Sequence, residues 1–351
     1  MRHPISLVFC FFTVFFSSKT TAQCWDLAWS DEFNGTTLDL TKWTPEIGGG
    51  GWGNSELEYY RAENATVSSG FLTITAKQES FGGNSYMSSR LITKNLADFR
   101  YGKFEARIKL PVAKGMWPAF WMLPTDNVYG GWPRSGELDI MELIGTYPNR
   151  TYGTVHEGTA ANGSQLSSGQ SVTLSSGTFA DDFHVFSTEW SPDLIKIYLD
   201  GVLFHTVTPT SFAGGKWAFD QRFFMILNLA VGGSWPGSPD GTTTFPQTMV
   251  VDYIRVYTSA NMVVGNIAVE PTGTATYSTT NIAGATYNWT VPTGATIVNG
   301  QGTPSVSVTF SSNSNGNVAV ATTTPCGTVN AAIAVTITAN TWINPVFAPN
   351  C

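Results

Sequence analysis

The chain has 351 residues, a formal net charge of −7 and a charged fraction of only 12%. It has no basic run or stripe, which argues against nucleic acid as a partner. Its 12 Trp, 12 Tyr and 22 Phe, with abundant Gly, Ser, Thr and Asn and no long amphipathic pattern, are typical of an all-β secreted protein. The length is sufficient for one large β domain and one smaller domain.

The N-terminus has the pattern of a secretory signal. Arg2 and His3 precede the apolar run Ile5 to Phe16, and small polar residues follow. We expect cleavage near residue 22 or 23, so that residues 1–23 are a signal peptide and the protein is secreted. The apolar run is short for a membrane span, so we expect no membrane-spanning segment, although a retained anchor is the alternative.

The cysteines do not define a disulfide framework. Cys10 leaves with the signal, and an odd number remains: Cys24, Cys326 and Cys351. Cys326 and Cys351 could pair, which would leave Cys24 free or modified. The remaining cysteines and the mature histidines are too few and too scattered for a zinc site. Those histidines are His156, His184 and His205.

The region from Trp25 to about Tyr257 is rich in short strand patterns. Residues 71–77, 101–110 and 194–199 alternate between apolar and polar side chains. Asp200-Gly201 follows the last of these runs and predicts a β-hairpin. Strands separated by Gly, Asn, Asp and Pro turns predict an all-β sandwich with one concave sheet.

A change of composition near Thr258 indicates a second domain. From Asn261 to Cys351 only Glu270 carries a charge, and alternating apolar runs continue. We therefore predict a domain over 24–258 and a smaller β-sandwich over 259–351, with Trp289 in its core. The stretch from Tyr287 to Ala295 resembles the immunoglobulin-like PKD modules of many secreted enzymes, which implies an accessory role.

Three carboxylates lie in one strand-like run, Ser135-Gly-Glu-Leu-Asp-Ile-Met-Glu-Leu-Ile. Side chains alternate along a strand, so Glu137 and Asp139 share a face while Glu142 would fall on the buried side. Because a buried, unpaired glutamate is costly, we predict a β-bulge at about Ile140-Met141 that returns Glu142 to the acidic face. Three acids on one surface suit acid/base chemistry; the alternative is a solvated face of an edge strand.

Residues 25–258 resemble the family 16 glycoside hydrolases and, among them, the laminarinase-like endo-β-1,3-glucanases. The resemblance rests on ordered segments: Trp29-Ser-Asp-Glu-Phe-Asn-Gly; Asn54-Ser-Glu-Leu-Glu-Tyr-Tyr; Tyr101-Gly-Lys-Phe-Glu-Ala-Arg; Gly115-Met-Trp-Pro-Ala-Phe-Trp-Met-Leu-Pro; Trp132-Pro-Arg-Ser-Gly-Glu-Leu-Asp-Ile-Met-Glu; Asn228-Leu-Ala-Val-Gly-Gly-Ser-Trp-Pro-Gly; and Val251-Asp-Tyr-Ile-Arg-Val-Tyr.

The resemblance implies a curved β-jelly roll with an open concave cleft and a retaining double displacement. Glu137 would be the nucleophile, Glu142 the general acid/base, and Asp139 would tune the pair. Such chemistry needs two carboxyls about 5–5.5 Å apart, one ionised and one protonated. Two residues between Asp139 and Glu142, with Met141 the additional one, resemble the laminarinase branch and favour β-1,3-glucan, with mixed β-1,3-1,4-glucan as a side substrate.

Four tryptophans are candidates for sugar stacking. Alternation in the segment after Gly115 places Trp117 and Trp121 on one face, where they could stack on sugars, although either could be a core residue. Trp132 and Trp235 follow Gly- and Pro-rich loops and are expected at the rim of the cleft.

Three polar residues are further candidates for substrate binding. Asn54 and Arg90 match polar cleft positions of the family, although Arg90 could instead form a surface salt bridge. His156 is expected on a strand beside the acidic strand, near Glu142 or Asp139, with a core histidine as the alternative.

The resemblance also implies one structural Ca²⁺ on the convex side. Its ligands would be the side chain of Asp252 and backbone oxygens near Glu32 and Gly70. A turn-side acid without a metal is the alternative for Asp252. We expect no cofactor for catalysis, and we expect a monomer.

Two other functions compete with the glucanase. A non-catalytic β-glucan-binding protein would lack the acids, whereas all three are present here. A galactan hydrolase of the agarase or carrageenase type would keep the acids and differ in the cleft loops. The segment from Trp132 to Gly136 resembles the glucanase version.

Overall fold

The computed structural model describes residues 25–259, 263–282, 284–324 and 327–338. The predicted signal peptide and Cys10, Cys24, Cys326 and Cys351 lie outside the described residues. Two 3-10 helices, Ala62–Asn64 and Pro209–Ser211, are the helical elements of the described part. No helix in that part combines the length and apolar character that crossing a bilayer requires.

The first part of the chain is built from β-strands. In chain order they are β1 (Trp25–Asp31), β2 (Thr44–Glu46), β3 (Glu58–Tyr60), β4 (Ala65–Ser68), β5 (Phe71–Ala76), β6 (Tyr86–Ser88), β7 (Arg90–Ile92), β8 (Asp98–Phe99), β9 (Gly102–Lys109), β10 (Met116–Pro124), β11 (Glu137–Glu142), β12 (Arg150–Gly158), β13 (Gln165–Thr173), β14 (His184–Ser191), β15 (Leu194–Leu199), β16 (Val202–Val207), β17 (Phe223–Val231) and β18 (Gln247–Ser259).

Two eight-stranded antiparallel sheets face each other across one core. The outer sheet has the order β16-β15-β14-β9-β18-β5-β4, with β1 paired to β18. The cleft sheet has the order β13-β12-β11-β10-β17-β7-β2, with β8 paired to β17. Alternating residues such as Phe104 and Ile108 of β9 are fully buried against Phe120 of β10 and Leu138 of β11 in a single apolar cluster. The predicted all-β jelly-roll sandwich is therefore confirmed.

The acidic strand β11 lies inside the cleft sheet, between β10 and β12. The register of its pairing with β12 shifts between Asp139 and Glu142. On the other side, the consecutive β10 residues Trp121 and Phe120 pair with Asp139 and Met141, so that Ile140 is the extra residue. Ile140 and Met141 are both buried, at 1% and 0% exposure. The predicted bulge is thus confirmed, and its extra residue restores Glu142 to the face of Glu137 and Asp139.

The hairpin predicted at Asp200-Gly201 is also present. It joins β15 to β16, and Asp200 and Gly201 have φ values of 49° and 77°. Positive φ at both central residues matches the twist of two-residue hairpin turns.

The second part of the chain forms a separate, smaller sandwich. Its strands are β19 (Val264–Gly265), β20 (Ala268–Val269), β21 (Thr274–Ser278), β22 (Thr286–Thr290), β23 (Thr296–Asn299), β24 (Ser305–Thr309), β25 (Gly316–Thr324) and β26 (Gly327–Ile337). They form two four-stranded sheets, β19-β21-β24-β23 and β20-β26-β25-β22. Trp289 is 2% exposed in a core of its own, so the predicted core position is confirmed.

Candidate active site

One cleft on the cleft sheet collects the predicted catalytic and substrate-binding residues. Its lining comprises Asn54, Glu56, Arg90, Trp117, Ala119, Trp121, Trp132, Glu137, Asp139, Glu142, His156, Gln165, Asn228, Ser234 and Trp235. The tryptophans on β10, the acids on β11 and the histidine on β12 come from neighbouring strands. The strand register, rather than closeness in sequence, therefore assembles the site.

Glu137 is half-buried at the start of β11. The indole Nε1 of Trp132 donates a hydrogen bond of 2.7 Å to its Oε2. Burial and the nearby charge of Asp139 raise the pKa of Glu137 to about 8, while the Trp132 donor and the charges of His156 and Arg90 act in the opposite direction. The Trp132 donor and the two cationic side chains therefore limit the increase in the pKa of Glu137.

Glu142 has a different set of neighbours. The indole Nε1 of Trp117 donates to its Oε1 at 3.0 Å, and the Thr151 hydroxyl donates to its backbone carbonyl at 2.9 Å. Burial, followed by repulsion from Asp139 and Glu137, raises the pKa of Glu142 well above its ordinary value. Burial and this repulsion both favour the protonated form of Glu142, which is the form that a general acid requires.

Asp139 lies between the two glutamates and is 2% exposed. Burial raises its pKa to about 8, and a hydrogen bond with Glu137 opposes that increase. Its Oδ2 lies 3.1 Å from His156 Nε2, within ion-pair distance, yet the ring N–H is not directed at this oxygen, which has no hydrogen-bond partner. Three acids in one buried cluster cannot all ionise cheaply, so protons are shared among them.

His156 is on β12, directly opposite Glu137. This placement agrees with the expected strand pairing. Its Nδ1 lies 3.0 Å from Gln165 Nε2, and an amide nitrogen can only donate. Nδ1 therefore accepts, and the neutral ring carries its proton on Nε2, the ring nitrogen that lies 3.1 Å from Asp139 Oδ2.

The aromatic walls of the cleft stand beside the acids. Trp117 and Trp121 share the cleft face of β10, as predicted, and the Trp121 Nε1 donates to Asn228 Oδ1 at 2.7 Å. Trp235 packs edge-on against Trp117 with ring centroids 5.5 Å apart. Trp132 and Trp235 remain 55% and 41% exposed, as expected for rim residues.

Arg90 combines the two predicted alternatives. Its Nε donates to Glu46 Oε2, and its guanidinium also lies 4.8 Å from the ring centroid of Trp121 and 5.1 Å from that of Trp52. Arg90 is thus salt-bridged and lines the cleft at the same time. Asn54 donates from Nδ2 to Glu56 Oε1 at 3.0 Å.

The sequence analysis missed several cleft residues. Glu56 and Asn228 lie within segments that carried the family resemblance, so their positions were visible although their contacts were not. Trp52 follows the glycine run at residues 48–51 and lines a cavity that shares Arg90 and Trp121 with the cleft. Gln165 comes from the edge strand β13, where nothing in the sequence marks it.

The strand register brings the three residues predicted to bind calcium to neighbouring positions on the outer sheet, where β1 ends and β5 begins beside the middle of β18. Asp31 pairs with Ile254 and Leu72 pairs with Val251, so Glu32 and Gly70 flank the part of β18 that holds Asp252. The carboxylate of Glu32 forms two hydrogen bonds with Arg255, of 2.9 and 2.8 Å. Asp252 forms an ion pair with Arg107 through its Oδ2, so Oδ1 is the oxygen that a cation would use.

A metal could also approach the acids themselves. Ligand atoms of Glu137, Asp139 and His156 all lie within 4.8 Å of one another. The same oxygens carry the protons described above, so a cation there would compete with acid/base chemistry.

Comparison with known proteins identifies the family. The profile described as the GH16 domain of beta-porphyranases A–D matches residues 25–259, and a PKD-like domain profile matches residues 258–337. A beta-glucanase from Rhodothermus marinus is 43% identical over 248 residues, which cover 67% of this chain and 86% of that protein. A glucan endo-1,3-beta-glucosidase from Cryptopygus antarcticus is 39% identical and covers 73% of this chain and 97% of its own length.

A solved structure gives the same result. The laminarinase catalytic domain from Thermotoga maritima has a TM-score of 0.63 and 45% identity, over 68% of this chain and 99% of that domain. The chain is therefore a glycoside hydrolase of family 16, followed by a PKD-like domain.

Proposed function

We propose that the protein is an endo-acting β-1,3-glucanase that retains anomeric configuration. The observation that carries this proposal is the bulge in β11, which places Glu137 and Glu142 in one open cleft with different proton environments. Aromatic surfaces lie on both sides of the acids, Trp132 beside Glu137 and Trp117 beside Glu142. An open cleft with rings on both sides suits an internal bond of a long chain.

The proton distribution supports a double displacement. Protonated Glu142 donates its proton to the glycosidic oxygen, while ionised Glu137 attacks the anomeric carbon and forms a covalent glycosyl-enzyme. Glu142, now ionised, takes a proton from water, whose oxygen displaces Glu137. In the free enzyme Asp139 and Glu137 share a proton, and this keeps the cluster from carrying three charges.

The proposed substrate is β-1,3-glucan, with mixed-linkage β-1,3-1,4-glucan as a side substrate. Two similar proteins support this substrate: one is named as a glucan endo-1,3-beta-glucosidase and the other as a laminarinase, and the chain matches 97% and 99% of their lengths. The two-residue spacing between Asp139 and Glu142, with Met141 as the bulge partner, favours the same branch of the family.

A galactan hydrolase is the second candidate, because the matching family profile carries the name of beta-porphyranases. That enzyme class would use the same acids on a galactose-containing chain. The two candidates differ in which polymer fits between Trp132 and Trp235.

A product profile on laminarin, curdlan, lichenan, agarose and porphyran tests both candidates. We expect rapid release of mixed oligosaccharides from laminarin and slow or no release from agarose and porphyran. Proton NMR of the first products should detect the β-anomer before mutarotation. Release of glucose alone would contradict endo action, and an initial α-anomer would contradict retention.

We also propose a structural Ca²⁺ on the outer sheet beside Asp252, where β1 ends and β5 begins. The strand register that brings Glu32, Gly70 and Asp252 to neighbouring positions supports it, and oxygen ligands from distant segments would tie β1 to β18. The chelator EGTA should then lower the melting midpoint, and Ca²⁺ added in excess should restore it. An unchanged midpoint after dialysis against EGTA would contradict the site.

Secretion after cleavage near residue 22 or 23, and a monomeric state, complete the proposal. The N-terminal sequence of protein recovered from the culture medium tests the first. Light scattering after size exclusion tests the second, for which a mass of twice the chain would be the contrary result.

A further inference from the structure

A second pair of carboxyls lies away from the acidic strand and takes no part in the bond cleavage described above: Glu56 lines the cleft and Glu58 does not. Glu56 and Glu58 are 6% and 0% exposed. Glu58 Oε2 accepts a hydrogen bond of 2.6 Å from the backbone N–H of Val231. Its Oε1 is buried and has no donor, although the carboxyl of Glu56 lies within hydrogen-bonding reach. Two ionised carboxylates cannot bond, so one of the pair must carry a proton.

Donor directions identify which carboxyl is ionised. An indole N–H can only donate, so Asn228 must receive Trp121 with its Oδ1. The Nδ2 of Asn228 then donates to the Tyr60 hydroxyl at 3.2 Å. Tyr60 therefore donates its own proton, at 2.8 Å, to Glu56 Oε2.

The other oxygen of Glu56 is also an acceptor. Asn54 Nδ2 donates to Glu56 Oε1 at 3.0 Å, which leaves Asn54 Oδ1 available to a sugar hydroxyl. Both oxygens of Glu56 thus receive donors, so Glu56 is the ionised member of the pair. The proton belongs on Glu58, where burial and the charge of Glu56 raise the pKa well above its ordinary value.

We propose that Glu56 and Glu58 are a proton-sharing pair of positioning residues, in which protonated Glu58 donates to ionised Glu56. Glu56 then fixes Asn54 directly, and it fixes Trp121 through Tyr60 and Asn228. Asn54 and Trp121 both line the cleft, so the pair sets the orientation of its sugar-binding wall without touching the reacting atoms. This inference rests on the proposed glucanase function.

Two isosteric substitutions distinguish the members of the pair. In Glu58→Gln an amide N–H replaces the acid proton and the amide oxygen still accepts from Val231, so the bonding pattern is conserved. In Glu56→Gln an amide N–H must face either Asn54 Nδ2 or the Tyr60 hydroxyl, and one donor is lost. The matched control is Glu189→Gln, whose carboxylate accepts the Tyr198 hydroxyl at 2.7 Å on the outer sheet.

The readout is the separate effect on KM and kcat for laminarin. We expect Glu56→Gln to raise KM about tenfold, equivalent to about 1.4 kcal/mol, with kcat nearly unchanged, because wall contacts bind ground state and transition state alike. Glu58→Gln and the Glu189→Gln control should keep KM within about twofold, which is within the scatter of a neutral exchange. A merely structural role would instead reduce the active fraction and lower apparent kcat at unchanged KM.

Three results would overturn the inference. The first is an increase in KM for Glu58→Gln as large as that for Glu56→Gln. The others are a normal KM for Glu56→Gln, or an effect of Glu56→Gln on kcat alone. If Glu56→Gln does not fold, Tyr60→Phe removes the same link without changing a charge and must raise KM in its place.

Melting of the same variants separates this inference from the proposed function. If the wild type leaves laminarin intact, the function fails, and the pair is judged by stability alone. Glu56→Gln should then melt about 3 °C or more below Glu58→Gln, the size of shift expected in a domain of this length when one buried hydrogen bond is lost. The reverse order would place the proton on Glu56 and refute the assignment.

Discussion

Trp132 provides a direct test of what limits the pKa of the nucleophile Glu137. Its indole N–H donates to Glu137 Oε2 at 2.7 Å. Trp132→Phe removes this donor and keeps an aromatic ring at the rim. A donor to a carboxylate stabilises the ionised form, so its loss raises the pKa of Glu137. Because the nucleophile must be ionised, the acidic limb of the kcat/KM profile should move to higher pH.

The size of the shift follows from the strength and exposure of this hydrogen bond. A hydrogen bond to a charged group contributes about 1.5–3 kcal/mol. Trp132 is 55% exposed, so water can partly replace the lost donor. We therefore expect the loss of the donor to cost between about half and nearly all of the lower figure of 1.5 kcal/mol, which is about 0.7–1.4 kcal/mol. That free energy corresponds to an increase of about 0.5–1 unit in the pKa of Glu137.

The assay is kcat/KM for laminarin across the acid and alkaline range, for the wild type, Trp132→Phe and Trp235→Phe. Trp235 is a rim tryptophan whose ring packs on Trp117 and Tyr152, so its substitution removes a comparable ring without removing a donor to Glu137. Only Trp132→Phe should displace the acidic limb. An unmoved acidic limb, or one that moves to lower pH, would refute the reasoning.

Three further predictions concern the acids and the domain organisation. Trp117→Phe removes the donor to Glu142 and so raises the pKa of that general acid. The alkaline limb of the kcat/KM profile should therefore move to higher pH, and the acidic limb should stay in place. Movement of the acidic limb instead would contradict the assignment of Glu142. Glu137→Gln should lower kcat by at least about 10³-fold. The same variant should also melt above the wild type near pH 8. The pKa of Glu137 is raised from 4.5 to about 8, so the wild-type protein loses stability as pH rises through that range, whereas the neutral Gln does not titrate. An equal difference in melting midpoint at pH 4 and pH 8 would contradict this linkage. Deletion of residues 260–351 should leave kcat/KM on soluble laminarin within about twofold, since each part has its own core; a large loss would give the PKD-like domain a direct part in hydrolysis.

The periodicity of single strands was readable from the sequence. Alternation of side chains placed Glu137 and Asp139 on one face, and the cost of burying Glu142 required the bulge that β11 contains. The turn at Asp200-Gly201 followed in the same way from backbone conformations that only a few residues adopt readily. These features depend on interactions between residues a few positions apart, so the local sequence determines them.

The electrostatics of the site were decided by the tertiary structure. The indole of Trp117 reaches Glu142 across 25 positions, and Tyr60 receives Asn228 across 168. Proton placement on Glu142 and Glu58 depends on burial and on the donors that surround each carboxyl. The amino-acid sequence by itself determined which acids share the cleft face of β11, whereas only the packing of distant strands decided which of them are protonated, because desolvation and hydrogen-bond direction are properties of the assembled surroundings.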